Sequence, residues 1–494
     1  MNHAFRRPNV LMVMVDQWPA KLMQAEGHSQ ILTPTLTQLA KLGTRYSRAY
    51  SECPICIPAR RTVMTGTSAR VHGDRSFAPA LEMPDAPTLA QTFRDAGYQA
   101  HAIGKVHVYP PRDRIGFDEI LLAEEGRPHL GTIDDYDVFL GEAGHAGEQY
   151  LHGMNNNDYL FRPWHLDEKF HVTNWITRET AKTIKRRDPR KPAFWHVSYT
   201  HPHPPLVPLQ AYLDLYERDA IDLPLRAVWA DGKLPPALAS IRSHWETGSP
   251  AQLQAIKRAF YALCTHIDHQ LRVIIGTLRE EQLLDDTVIL FTSDHGDMLG
   301  DFGLWAKRLY YEGSARVPML LVGPKGDTRI RERHVDDRLV GLQDVMPTLL
   351  ELVGIEVPAT VEGLSMVGTS QRPALFGACK EDALSTRMAH DGRHKLIWYP
   401  TGNVVQLFDL DRDPDELNDV SRSDEYQPVR TELERVLVDN AYGSDLAWIK
   451  DGRLVGCDDS HWMPKGDRHY GGQRGLHYPQ PPVTDPSQAV GSPG

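Results

Sequence analysis

Three apolar runs, each ending on ionisable residues, constrain this chain more than any other feature. Val10 to Val15 is unbroken and stops at Asp16, Ala193 to Tyr199 leads to His201 and His203, and Thr287 to Phe291 leads to Asp294 and His295. Runs without polar alternation suit strands buried on both faces, which is the habit of parallel sheets. Ionisable residues just past the carboxyl ends stand where open α/β sheets hold their ligands. The expected fold class is therefore α/β: a large central mixed, mostly parallel sheet flanked by helices.

Helical patterns separate the runs. Thr33 is a candidate N-cap with Pro34 at the first helical position, Leu36, Leu39 and Ala40 on one face, and Gly43 as terminator. Thr88 to Ala96 repeats that design and stops at Gly97. Leu253, Ile256, Phe260, Leu263, Ile267, Leu271 and Ile274 form one stripe at helical spacing. Gly126 to Phe161, rich in Gly, His, Asp and Asn, reads as a long surface insertion. Near Gln371 the character changes. His394 to Tyr399 and Val404 to Leu410 read as two antiparallel strands, and a helix comes next over Val429, Leu433, Val436 and Leu437. The chain from about Tyr442 reads as an irregular tail. We expect a catalytic α/β domain over 1–370 and a smaller α+β C-terminal subdomain over 371–494.

Bulk properties narrow the function. A length of 494 residues allows a large core plus a smaller domain. The formal net charge of -11 provides no basic surplus for a nucleic-acid partner. No apolar run approaches the ~20 residues of a membrane span, and Met1 to Val15 lacks the pattern of a cleaved signal. The expected location is the cytoplasm, or an exported protein whose chain begins after processing. Five cysteines in no regular framework argue against a disulfide scaffold. The Cys53/Cys56 C-x-x-C pair is better explained by the residues on the C-terminal side of Cys56.

That segment is Cys56-Ile57-Pro58-Ala59-Arg60, continued by Arg61, Thr62, Val63, Met64, Thr65 and Gly66. A cysteine at a helix start places backbone N–H groups beside an incoming anion, and Arg60 adds a fixed positive fork. Four further segments carry chemistry: Asp16-Gln17; Gly104-Lys105-Val106-His107; His201-Pro202-His203-Pro204-Pro205; and Thr292-Ser293-Asp294-His295-Gly296-Asp297. Trp305-Ala306-Lys307 adds another cation. Carboxylate and amide oxygens at two strand ends suit Ca²⁺ or a similar hard cation, and a Pro-flanked histidine suits general-acid work.

Together these segments resemble the sulfatase branch of the alkaline-phosphatase superfamily, from Asn9 to about Asn418. The pentad is similar to the signature C-x-P-x-R, in which a maturating enzyme oxidises the cysteine to formylglycine. The resemblance implies that Cys56 is the nucleophile precursor, with Arg60, Lys105, His107, His203 and Lys307 as catalytic residues. Lys105 and Lys307 would grip the ester's anionic group, and His201, next to His203, either binds substrate or packs. Asp16, Gln17, Asp294 and His295, with residue 56, would hold a divalent cation, Ca²⁺ being favoured over Mn²⁺ or Mg²⁺. Many sulfatases carry Asp where Gln17 stands and Asn where His295 stands, so this site has one negative charge fewer. The implied reaction is hydrolysis of a sulfate monoester, with a small anionic ester and the maturating enzyme as partners, and a homo-oligomer is allowed for. Phosphonate monoester hydrolases and phosphodiesterases share the pentad and the Asp-Gln, Asp-His variation, as do choline sulfatases. Gly303-Leu304-Trp305 and Glu312 to Pro318 look more like the choline-sulfatase side. A phosphorus ester is therefore the alternative substrate. A non-catalytic binding protein of the same fold is the second alternative, although Asp16, Cys56, Arg60 and Asp294 are all retained. The residues do not identify the esterified alcohol.

Overall fold

The computed structural model describes residues 7–125, 133–154, 156–245 and 248–458. Eight strands form the central sheet: β1 (Asn9–Asp16), β2 (Thr44–Tyr50), β3 (Gln99–Gly104), β4 (Glu119–Leu122), β5 (Ala193–Pro202), β6 (Thr287–Ser293), β7 (Met319–Val322) and β8 (His334–Gly341). Their order is β4-β3-β5-β1-β6-β7-β2-β8, and among them β7 alone runs against the rest. The three apolar runs are thus β5, β1 and β6, and they lie side by side in parallel register. With β3, which pairs with β5, four neighbouring strands point their carboxyl ends at one edge. That edge carries the site.

Successive residues of β1 serve opposite layers of the core. Leu11, Val13 and Val15 pack in the layer with the helices Val172–Arg186 and Pro250–Glu280. Val10, Met12 and Met14 pack in the layer with the helices Cys56–Thr65 and Val345–Leu352. An apolar residue is needed at every position, which explains the absence of alternation.

The Pro250–Glu280 helix buries six of the seven stripe residues, and Ile256 is half-buried at its edge. The helix Pro34–Leu42 starts where expected, but its cap differs. The Thr33 hydroxyl instead accepts from the backbone of Gln24, and Asp268 from the long helix accepts from Thr35 and Leu36 N–H. A residue more than 230 positions away thus satisfies the helix start. Thr88, by contrast, caps its own helix through Gln91 N–H.

The expected surface insertion needs correction. Residues 126–132 and 155 lie outside the described residues, but the remainder contains a helix, Asp135–Glu142, and the buried side chains Tyr136, Leu140, Tyr150, Met154 and Tyr159. Its aromatic residues anchor it: Tyr136 sits 5.6 Å from Trp175, and Tyr159 sits 4.5 Å from Trp305. At the C-terminal end, β9 (Leu375–Cys379), β10 (Thr386–His390), β11 (His394–Tyr399) and β12 (Val404–Asp409) form a separate antiparallel sheet. The helix Gln427–Asn440 covers it through Leu433 and Leu437. The expected irregular tail contains a short antiparallel pair, Ile449–Lys450 with Arg453–Leu454. Buried Asp445 accepts from both Arg75 and Arg387, which fastens this subdomain to the loop after the short helix Ala69–His72.

Several buried histidines set the acid limit of this fold. Burial depresses His196 and His266 from 6.5 to about 3, and His201 and His390 to about 4. As pH falls through 6.5 the unfolded chain takes up these protons and the folded chain does not. Their contribution is complete above about pH 6.5 and is lost progressively as pH falls, to about pH 4 for His201 and His390 and about pH 3 for His196 and His266. We expect the urea midpoint to drop between pH 7 and pH 5. A flat midpoint over that interval contradicts neutral burial.

Candidate active site

The loop after each of the four parallel strands delivers one part of the site. Asp16 ends β1, and Gln17 comes next in a left-handed conformation (φ 69°), donating its backbone N–H to Asp294 Oδ1 at 3.1 Å. Gly104 ends β3 with φ 105°, and a Cβ there would lie 1.9 Å from the Ser198 carbonyl oxygen. Only glycine permits the turn that sends Lys105 inward. His201 and His203 lie at the end of β5, and Asp294 and His295 directly after β6.

Cys56 opens the helix Cys56–Thr65, as the sequence predicts, and is 3% exposed. Its Sγ lies 3.2 Å from His295 Nε2 and 3.9 Å from Asp16 Oδ1. One ligand atom from each of Asp16, Cys56, Asp294 and His295 falls within 4.8 Å of the others. His295 Nδ1 lies 2.9 Å from the Gly296 carbonyl, an acceptor, so Nδ1 carries the proton and the Nε2 lone pair faces the cluster. Two carboxylates, an imidazole lone pair and residue 56, all buried, are a donor set that fits a divalent cation.

Arg60, one helical turn on, is placed differently from the expected anion-facing fork. Its Nε donates to Asp294 Oδ2 at 2.9 Å and Nη2 lies 3.3 Å from Asp16 Oδ2. Nη1 donates to the Lys105 carbonyl and to Ser198 Oγ. The guanidinium braces the two carboxylates by their outer oxygens, leaving the inner ones turned toward His295 Nε2 at 3.8 and 3.7 Å.

Lys105 Nζ pairs with Asp16 Oδ2 and with Glu125 Oε1, the latter at 2.7 Å. Burial opposes the charged ammonium, but Asp16 and Glu125 outweigh it and raise Lys105 above its ordinary value. Burial likewise opposes charge on Asp16, yet Lys105 and Arg60 hold that carboxylate well below its usual range. His107 also adopts a left-handed conformation (φ 61°). Glu124 Oε1 accepts from Val106 and His107 N–H at 2.7 and 2.8 Å, and Oε2 lies 3.8 Å from His107 Nε2.

His203 Nδ1 donates to the Pro204 carbonyl at 2.6 Å, and Nε2 lies 2.7 Å from Lys307 Nζ. Lysine is the donor in that pair, so Nε2 accepts and the resting imidazole is neutral. Lys307 Nζ also donates to Gln17 Oε1 at 2.9 Å. The next residue, Arg308, donates its backbone N–H to the Pro54 carbonyl, tying the lysine loop to the turn before Cys56. His201 stands beside this pair, its Nδ1 3.2 Å from the His203 carbonyl, and burial keeps it neutral. A pocket opens beside His203 and Glu125, walled by Tyr136, Tyr150, Trp164 and Val207.

All the residues singled out from sequence therefore lie on one edge of the sheet. Glu124, Glu125, Ser198 and Tyr159 were missed, and Asp297 stood in a quoted segment without a role. Glu124 and Glu125 come just after the end of β4, so the strand-end rule that found Asp16 applies to them as well.

Comparison with known proteins identifies the family. The family model for Sulfatase matches residues 8–355, and one described as N-sulphoglucosamine sulphohydrolase, C-terminal, matches residues 300–442. An arylsulfatase of Clostridium perfringens is 32% identical over 474 residues, covering 91% of this chain and 97% of that protein. A choline-sulfatase of Rhizobium meliloti is 30% identical over 440 residues, covering 84% and 83%. In fold, the crystal structure of a phosphonate monoester hydrolase of Agrobacterium radiobacter superposes with a TM-score of 0.75 at 22% identity, covering 91% of this chain and all of that one. With a family match spanning most of its length and an arylsulfatase 32% identical over 91% of it, this chain belongs to the sulfatases and is a sulfuric ester hydrolase.

Proposed function

We propose that this sulfatase transfers the sulfuryl group of a small sulfate monoester to residue 56 and releases the alcohol into the aromatic pocket. One observation carries the proposal: Cys56 heads a helix with its Sγ inside the Asp16, Asp294 and His295 cluster. Once oxidised to formylglycine, residue 56 offers a hydrated aldehyde, with one oxygen to attack sulfur and a second hydroxyl whose deprotonation expels sulfate. A divalent cation held by Asp16, Gln17, Asp294 and His295, with Ca²⁺ favoured, would supply Lewis acidity and neutralise charge on the sulfuryl oxygens.

The chain's own groups do the rest. Arg60 holds Asp16 and Asp294 in alignment. Lys105 and Lys307 stand on either side to hold the sulfuryl group. The His203–Lys307 pair delivers a proton to the departing oxygen, since Lys307 is protonated and already hydrogen-bonded to a neutral imidazole. His107, fixed by Glu124, is placed to take the hydroxyl proton in the second half-reaction. Tyr136, Tyr150 and Trp164 favour an aromatic or short apolar alcohol, in line with the arylsulfatase likeness.

The test is product analysis on protein made alongside a maturating enzyme. Nitrophenyl sulfate, a short alkyl sulfate and a nitrophenyl phosphonate should be compared by ion chromatography, with Cys56→Ala as the control. We expect sulfate release to dominate and to vanish in Cys56→Ala, and peptide mass spectrometry to find formylglycine at position 56. Faster turnover of the phosphonate transfers the assignment to phosphorus esters. An unmodified thiol in fully active enzyme removes formylglycine from the scheme.

A further inference from the structure

Gln17 raises a question of orientation. A carboxamide presents oxygen at one end and NH₂ at the other, and only the oxygen can face a cation. We infer that Asp297, seconded by Tyr159, is the positioning residue that holds the Gln17 carbonyl oxygen toward Lys307 and the cation cluster. This inference rests on the proposal that Gln17 is a cation ligand.

The contacts decide the orientation from both ends. Asp297 Oδ2 accepts from Gln17 Nε2 at 2.5 Å and from the Tyr159 hydroxyl at 2.5 Å, and Gln17 Nε2 lies 2.9 Å from that hydroxyl. Oδ1 accepts from the backbone N–H groups of Leu299 at 2.8 Å and Ala306 at 3.1 Å. Both oxygens of Asp297 are therefore committed to donors, and Asp297 is fully buried. A flipped amide would set its oxygen against the Asp297 carboxylate, acceptor against acceptor. At the other end it would set NH₂ against the Lys307 ammonium, donor against donor. Only the observed orientation satisfies both ends. The same carboxylate, by holding Ala306 N–H, also fixes the residue before Lys307. Asp297 thus places two members of the site without touching substrate.

The carboxylate also explains why an amide stands at position 17. A glutamate there would bring a second carboxylate to hydrogen-bond distance of Asp297, a contact that one of the two must take up a proton to relieve. An asparagine at 297 reverses the preference. The Leu299 and Ala306 N–H groups require its oxygen, so its NH₂ must face residue 17. That arrangement suits a glutamate at position 17 and opposes the productive orientation of Gln17.

The experiment is a double-mutant cycle read by cation affinity. Full-length protein is stripped with a chelator and titrated calorimetrically with calcium, then manganese. In the Gln17 background, Asp297→Asn should weaken affinity about 10–100-fold, the usual effect of changing a ligand's hydrogen-bond partner. Tyr159→Phe should weaken it in the same direction by less. In the Gln17→Glu background, Asp297→Asn should cause no weakening. Equal weakening in both backgrounds, or wild-type affinity in Asp297→Asn, overturns the inference. Gln17→Ala separates the two levels of argument. If it leaves affinity unchanged, Gln17 is not a ligand and the underlying proposal falls with the inference. If it weakens affinity while Asp297→Asn does not, only the inference falls. Should Asp297→Asn alone fail to fold, Tyr159→Phe and the double variant combining Gln17→Glu with Asp297→Asn decide: loss in the first with binding in the second supports positioning, and any other pattern overturns it.

Discussion

His203→Ala is expected to slow hydrolysis of an alkyl sulfate by about 10²–10⁴ while affecting a nitrophenyl sulfate far less. An alkoxide is a poor leaving group and needs a proton as the S–O bond breaks, whereas a nitrophenolate departs unaided. The resting geometry defines the proton path. His203 Nδ1 is spent on the Pro204 carbonyl, so Nε2 is the working nitrogen, and Lys307 lies 2.7 Å from it. If His203 merely gripped the sulfuryl group, both esters would lose rate equally, because that group is common to them. The check is kcat/KM for wild type and variant on the two esters. Equal losses would reassign the acid to Lys307 alone.

Asp294→Ala should remove cation binding and turnover together, by more than the ~10–100-fold typical of outer-shell changes. It should also lower stability. The carboxylate is buried and accepts from Arg60 Nε, Gln17 N–H and His295 N–H. Its loss removes one of the two carboxylates paired with the buried Arg60 guanidinium, and breaking such a pair costs about 3–5 kcal/mol. Calorimetric titration with calcium and a urea melt measure the two effects separately. Wild-type affinity in this variant would exclude Asp294 as a ligand. Unchanged stability would mean that Arg60 is held by its other contacts.

How much the sequence reveals depends on how local each signal is. Asp16, His203 and Asp294 were visible because an unbroken apolar run and the polar residues ending it are contiguous in the chain. Cys56 was visible because its pentad is a compact segment. Tyr159 was not, because its hydroxyl meets Asp297 across 138 positions. Nothing in a stretch rich in Gly and Asn marks one tyrosine as internal. Arg60 shows a different limit. Its presence was legible, but whether a guanidinium faces substrate or carboxylates depends on which groups surround it after folding. Asp268 capping a distant helix is the same limitation at the level of the fold.

Tyr159 has a consequence for anyone wishing to alter what this enzyme accepts. Its ring packs on Trp305 and Trp245, and its hydroxyl lies against Asp297 and Gln17, while Tyr136 and Tyr150 of the same segment wall the pocket. On the roles proposed here, selectivity and chemistry share one piece of chain and are not modular. Transplanting the segment from a relative would exchange both at once, and the graft that keeps a tyrosine at 159 is the one that leaves the chemistry in register.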